Sequence, residues 1–165
     1  MTRPTDRFAP VTDEPPRASP AQPIDPATVL PHRPPFLLLS AVTDVVPGTR
    51  ASGHWAPEPT AEFFKGHFPG RPTLPGVLMV ESLAQLGAVA VLLDPRFEGR
   101  LPLFGGIDRA RFRRQVVPGE RLDLTIELSR LSVRAGRGRG VASVAAEVCA
   151  EGELFFVVVD RGAAT

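Results

Sequence analysis

At 165 residues the chain suits one domain with a real core and is too short for two ordinary ones. Its 43% hydrophobic and 22% charged content is that of a soluble globular protein, and a net charge of +1 excludes a global attraction to nucleic acid or anionic membrane. The single cysteine, Cys149, excludes an internal disulfide and fits a reducing, cytoplasmic compartment.

In chain order, the first 35 residues hold 10 of the 19 prolines. Residues 1–27 are therefore expected to form a disordered or extended arm, with a single domain over 28–165. No apolar signal core opens the chain, and Asp6, Asp13, Glu14 and Asp25 do not fit an acid-poor transit leader. From Phe36, FLLLSAVTDVV has the length and the Leu and Val content of a strand, closed by Pro47-Gly48. A second strand is expected over about 49–55, then a helix over about 75–92 that opens on Pro75 and stops at Asp94-Pro95. About four strands follow. LPLFGGIDRARFRRQV runs to Pro118-Gly119, and RLDLTIELSRL sets Leu122, Leu124, Ile126 and Leu128 on one face. RGVASVAAEVCA and ELFFVVVD complete the set, joined by an expected tight turn at Glu151-Gly152. The helical stretch is a poor membrane span, because Glu81, Ser82 and Gln85 interrupt it. An antiparallel sheet can bury such a helix only by wrapping round it, which predicts an α+β fold with one long central apolar helix.

A helix apolar on every face is buried on every side, yet this one carries Glu81, and no Lys or Arg occurs between Arg71 and Arg96. An unpaired buried carboxylate is costly when ionised, so Glu81 is expected to be held as the neutral acid, suited to donate a proton. The plainer alternative is a carboxylate on a solvated stripe. Gln85, four residues on, shares its face. His67 lies in a turn stiffened by Pro69, Pro72 and Pro75, between Gly66 and Phe68; it is either a fixed general base or a surface histidine. Leu74-Pro75-Gly76 opens the helix with free N–H groups that suit an oxyanion or a polarised carbonyl, unless it is a simple turn. Arg109, Arg111, Arg113 and Arg114 crowd one strand, and Arg134, Arg137 and Arg139 a glycine-rich loop. They form either a docking rim for an acidic partner or ordinary edge charge that blocks strand addition. The histidines and the cysteine lack metal-ligand spacing.

Three stretches, LPHRPPFLLL (30–39), EFFKGHFPGRPTLPGVLMVESLAQ (62–85) and GIDRARFRRQVVPGERL (106–122), resemble the signature blocks of FabZ-type 3-hydroxyacyl-acyl-carrier-protein dehydratases. The resemblance covers about residues 28–160 and implies the hot-dog fold, an antiparallel sheet wrapped round a central helix. It implies His67 as catalytic base, Glu81 as catalytic acid and the Gly76 N–H as ligand of the thioester carbonyl, with Phe68, Pro75 and Gln85 around the substrate. It also implies (3R)-hydroxyacyl-acyl-carrier-protein as substrate, a trans-2-enoyl thioester as product, and no metal or organic cofactor. An obligate homodimer with composite sites follows from the same likeness, as does further assembly to a trimer of dimers. Acyl carrier protein would dock on Arg109, Arg111, Arg113, Arg114, Arg137 and Arg139. The chain departs from the family text at Pro34, at Ser40-Ala41 and before the Phe63-Phe64 pair. Two rival activities share the fold: a hot-dog acyl thioesterase, and a non-catalytic module that binds acyl carrier protein.

Overall fold

Helix α2 (Gly76–Leu92) is the axis on which the chain is built. The computed structural model describes residues 22–163. Before α2 come strands β1 (Ala41–Val46) and β2 (Arg50–Trp55) and a short helix α1 (Glu62–Gly66). After it come β3 (Arg100–Phe112), β4 (Leu122–Leu131), β5 (Ala135–Val144) and β6 (Glu147–Asp160). The strands form one six-stranded sheet in the order β1-β2-β4-β5-β6-β3, antiparallel at every pairing. Helix α2 touches all six strands, so the sheet curls about it in the hot-dog arrangement. The α+β expectation and the element order hold.

Inward alternation explains the wrap. On β2, Ala51, Gly53 and Trp55 point to the helix, and on β4 Leu122, Leu124 and Ile126 do so. Val80, Leu83, Leu86 and Val89 meet them from α2. The Gly48 N–H, in the β1–β2 turn, donates to the Ala90 carbonyl at 2.8 Å and ties the first hairpin to the helix. One stripe of α2 stays uncovered by its own sheet, however. Val77 is exposed, and Glu81, Ala84 and Ala88 on the same face are half-buried. The expectation of burial on every side fails there.

Three local expectations are corrected. The stretch Leu37–Leu39 is not strand; β1 starts at Ala41. Leu38 is buried, but its N–H is taken by the Gln85 side chain at 2.8 Å rather than by a ladder partner. Ser40, one of the departures from the family text, accepts the Ala56 N–H on its hydroxyl at 3.0 Å. The last hairpin turns at Ala145-Ala146, both at positive φ (49° and 67°), between the paired Val144 and Glu147. Two such residues are the mirror-type turn that suits strand twist, although neither is Gly or Asn. Gly152 lies mid-strand opposite Gly140. Third, the supposed glycine-rich loop is strand β5, with Gly136, Gly138 and Gly140 facing in. A Cβ at Gly140 would lie 3.0 Å from Leu83 of α2, and one at Gly138 would lie 2.9 Å from the Glu127 carbonyl oxygen. Close approach, not flexibility, selects glycine here.

Of the expected arm, residues 1–21 lie outside the described residues. Ile24 already exchanges two backbone hydrogen bonds with Val42, at 2.9 and 3.0 Å, and a single helical turn follows at Pro26–Thr28. Contact with the domain therefore begins before residue 28.

Gly140→Val forces methyl groups against Leu83, and overpacking of this kind costs about 1–3 kcal/mol. Equilibrium urea unfolding should show a lower midpoint by that measure. An unchanged midpoint would mean that the sheet stands further from α2.

Candidate active site

His67 is placed by what precedes and follows it. Helix α1 packs Phe64 into the core, and Phe63 lies 6.3 Å from Trp55 and 4.7 Å from Phe64, ring to ring. The His67 N–H closes α1 on the Phe63 carbonyl at 3.0 Å. Downstream, the Thr73 N–H donates to the His67 carbonyl at 2.8 Å, and the Leu74 N–H to the Val116 carbonyl at 2.8 Å. The ring is fixed too, because Nδ1 lies 2.8 Å from the Thr73 carbonyl oxygen. A carbonyl only accepts, so Nδ1 carries the hydrogen and Nε2 is left with its lone pair. The Phe68 ring stacks on the imidazole, 4.1 Å between centroids, and is itself exposed.

Helix α2 opens at Gly76 with Pro75 at the N-cap and no side chain capping the first turn. A Cβ at Gly76 would lie 2.7 Å from the Phe112 ring of β3, so only glycine fits beneath that ring. Glu81 is five residues further, about 7.5 Å along the axis.

Glu81 is 20% exposed and is not sealed in the core. Its Oε1 accepts a hydrogen bond of 3.1 Å from Gln85 Nε2. Gln85 is 1% exposed and also donates to the Phe36 carbonyl at 3.0 Å while accepting from Leu38. That fixes which oxygen of Glu81 the amide engages. The carboxyl lines a cleft of about 200 Å³ that is otherwise mostly apolar, with Ala88, Leu103, Ile126, Leu154 and Phe156 among its walls. His32 also lines this cleft; His67, Pro75 and Gly76 do not. Within one chain His67 and Glu81 thus do not share a pocket. No cluster of three metal-ligating side chains forms among the described residues.

Sequence reasoning singled out Glu81, Gln85 and His67 but missed two partners. Thr73 acts through its backbone carbonyl, which carries no side-chain signature. His32 was visible only as one of three histidines, and it meets Glu81 across 49 residues of chain through the Gln85 tether.

The arginines divide. Arg114 is clamped on Glu120 at 2.6 Å and Glu147 at 2.9 Å and also donates to the Gln115 carbonyl at 3.1 Å, so it braces the end of β3. Arg113 and Arg139 share Glu151, Arg137 pairs with Asp108 at 2.8 Å, and Arg109 with Glu153 at 3.4 Å. Arg109, Arg111, Arg113 and Arg139 nonetheless line one shallow depression with Glu151 and Glu153.

A model of the FabA-like domain matches residues 30–158. The 3-hydroxyacyl-[acyl-carrier-protein] dehydratase FabZ of Moorella thermoacetica is 54% identical over 133 residues, 81% of this chain and 93% of that protein. The protein of the same name from Bacillus subtilis is 50% identical over 130 residues, 79% and 92% of the two chains. Among solved structures, a chain of the dehydratase heterocomplex ApeI:P from Xenorhabdus doucetiae superimposes with a TM-score of 0.68 at 20% identity, over 84% of this chain and 93% of that one. Cj0977 from Campylobacter jejuni gives 0.60 at 12% identity, over 76% and 80%. Both share the fold.

The ion pairs around β3 also contribute to stability in a pH-dependent way. The Arg114 guanidinium holds the Glu120 carboxyl below the ordinary value of 4.5, and Arg113, with Arg139, does the same to Glu151. Each binds its proton more weakly folded than unfolded. Their contribution is therefore complete above about pH 4.5 and is lost as pH falls through the lowered folded values. Urea midpoints should drop on acidification from about pH 6 to about pH 3.5. Glu120→Gln should start lower and fall less steeply; a parallel fall would remove this pair from the acid response.

Proposed function

This chain belongs to the FabA-like family, and on that premise we propose that His67 and Glu81 perform its reaction from opposite subunits of a dimer. The reaction is that of its FabZ relatives, dehydration of 3-hydroxyacyl-acyl-carrier-protein in fatty-acid synthesis. The observation that carries the assignment is the way both side chains are held: His67 Nδ1 on the Thr73 carbonyl, which leaves Nε2 for the substrate, and Glu81 Oε1 on Gln85, which leaves Oε2 for it.

The substrate is the (3R)-hydroxyacyl thioester, its acyl chain along the apolar cleft. The Gly76 N–H, at the positive end of α2, holds the thioester oxygen as negative charge builds there. His67 Nε2 takes the α-proton, and the electrons of that C–H bond form the new double bond. The β-C–O bond breaks as Glu81 Oε2 protonates the departing hydroxyl, and water leaves with the trans-2-enoyl thioester. Return of a proton from the imidazolium to the carboxylate, through solvent, restores the site. Each proton has a residue to carry it, so the scheme uses no metal or organic cofactor. Phe68 and Pro75 frame the approach of the thioester to Gly76.

Two features support a dimer. His67 does not line the cleft that Glu81 lines. Strand β3, 13 residues long, ends the sheet and exposes Leu103, Phe104, Ile107 and Phe112, an edge and an apolar row that a second copy can cover. Further assembly to a trimer of dimers follows the family likeness alone. Acyl carrier protein, the acidic carrier, docks on Arg111 and on Arg109, Arg113, Arg137 and Arg139, whose acidic partners it displaces or shares; Arg114 contributes by bracing them. No helix among the described residues is long and apolar enough to cross a membrane, and a cytoplasmic setting suits both the carrier and the buried free thiol of Cys149.

His67→Ala and Glu81→Gln should each lower turnover by roughly 10²–10⁴-fold. Mixed after subunit exchange, the two inactive proteins should recover about a quarter of wild-type activity, because half the dimers then hold one intact site. No recovery after verified exchange would place both residues of a site in one chain. The product should be the enoyl thioester by mass spectrometry; free acid would point to a thioesterase.

A further inference from the structure

We infer that His32 is a positioning residue for Glu81, an Nε2–H donor that supports the carboxyl as it becomes a carboxylate. This rests on the reading of Glu81 as proton donor and extends it.

His32 stands in the coil before β1, and its setting is built. Arg33 Nη1 donates to the carbonyls of Leu30 and His32 at 2.8 and 2.6 Å, and Leu30 is buried in the core. The Phe36 N–H donates to the Arg33 carbonyl at 2.9 Å, and the Phe36 ring stacks on the imidazole with centroids 6.4 Å apart. Gln85 holds the Phe36 carbonyl, so the amide that orients Glu81 also fixes the segment carrying His32. The result is a third polar side chain, beside Glu81 and Gln85, in an otherwise apolar cleft.

The two ring nitrogens differ. Nδ1 is buried with no hydrogen-bond partner, while Nε2 lies 3.9 Å from Glu81 Oε1. A hydrogen on Nδ1 would be an orphaned buried donor and would leave the Nε2 lone pair facing the lone pairs of Oε1. A hydrogen on Nε2 avoids both penalties. Of the two tautomers the surroundings therefore favour Nε2–H. At 3.9 Å the contact is not yet a hydrogen bond. It strengthens when Oε2 releases its proton, because charge then spreads to Oε1 and draws the donor in. A contact stronger in the transition state than in the ground state accelerates the step rather than tightening binding. Facing the imidazole from α2 are Glu81 and Gln85, and from its own segment Arg33, whose guanidinium is turned to backbone carbonyls.

The test compares His32→Leu with His32→Gln, whose amide can present an N–H near the position of Nε2. With full-length enzyme and a hydroxyacyl-acyl-carrier-protein substrate, His32→Leu should lose about ten- to a hundredfold in kcat, the worth of one hydrogen bond to a charged group, with KM little changed. His32→Gln should recover most of that loss, and the thermal midpoints of both should match wild type. Wild-type kcat in His32→Leu overturns the inference, as does equal impairment of the two variants. A loss that follows a lowered thermal midpoint, with KM raised, makes His32 a packing residue and overturns it too. Glu81→Gln, run alongside, separates the premise: if it is inactive while His32→Leu is normal, only the His32 inference fails. If Glu81→Gln is fully active, the proton-donor reading falls and this inference with it.

Discussion

One buried amide sets the terms for the rest of the molecule. The Gln85 side chain makes three hydrogen bonds, to the Leu38 N–H, the Phe36 carbonyl and Glu81 Oε1. Two of them replace the ladder bonds that a strand would have given residues 36–38. The third orients the Glu81 carboxyl. Without the amide, two backbone groups of the coil would lose their partners beside the core, at about 1–3 kcal/mol for each one buried. A single residue thus indexes the coil before β1 and the Glu81 carboxyl to one another.

The second constraint is distance. Helix α2 sits close enough to its sheet that side chains must vanish at the contact. Gly87 of the helix lies where a Cβ would meet Ile126 at 2.9 Å, and Gly140 of β5 where one would meet Leu83 at 3.0 Å. The stripe with Glu81, Ala84 and Ala88 lines the cleft beside these contacts, and Gly87 and Ile126 form part of its wall. The apolar helix is therefore asymmetric, packed tightly on the sheet and open along one line.

Much of this could be read from the chain because the signals are local. The limits of α2 follow from Pro75 and Asp94-Pro95, and the inward row of β4 from the alternation Leu122, Leu124, Ile126. What could not be read depends on residues far away in sequence. Gly136, Gly138 and Gly140 look like a loop until Phe156, Glu127 and Leu83 are seen against them. The run Leu37–Leu39 looks like a strand until Gln85 takes its amide. The final turn fell on Ala145-Ala146, where nothing in residue type announces positive φ. At the site, the intrinsic oddity of an acid in an apolar helix was visible, whereas the tautomer of His67 depends on a carbonyl. Arg114, counted among surface cations, proved to be a brace because Glu120 and Glu147 flank it in space.

Strand β3 has a consequence for the life of a single chain. Its outer edge presents free backbone donors and acceptors beside Leu103 and Phe104, the combination on which foreign strands grow. Its second half is guarded: a bulge between Asp108 and Arg111 breaks the flat edge, and Arg109 and Arg111 add charge. The first half is interrupted by Pro102 and by a second irregularity between Phe104 and Gly106, but its charge stops at Arg100. A copy whose β3 edge stays uncovered can therefore seed strand addition, and how often it does so depends on how crowded it is with its own kind. Abundance and solubility are linked through one exposed edge of backbone.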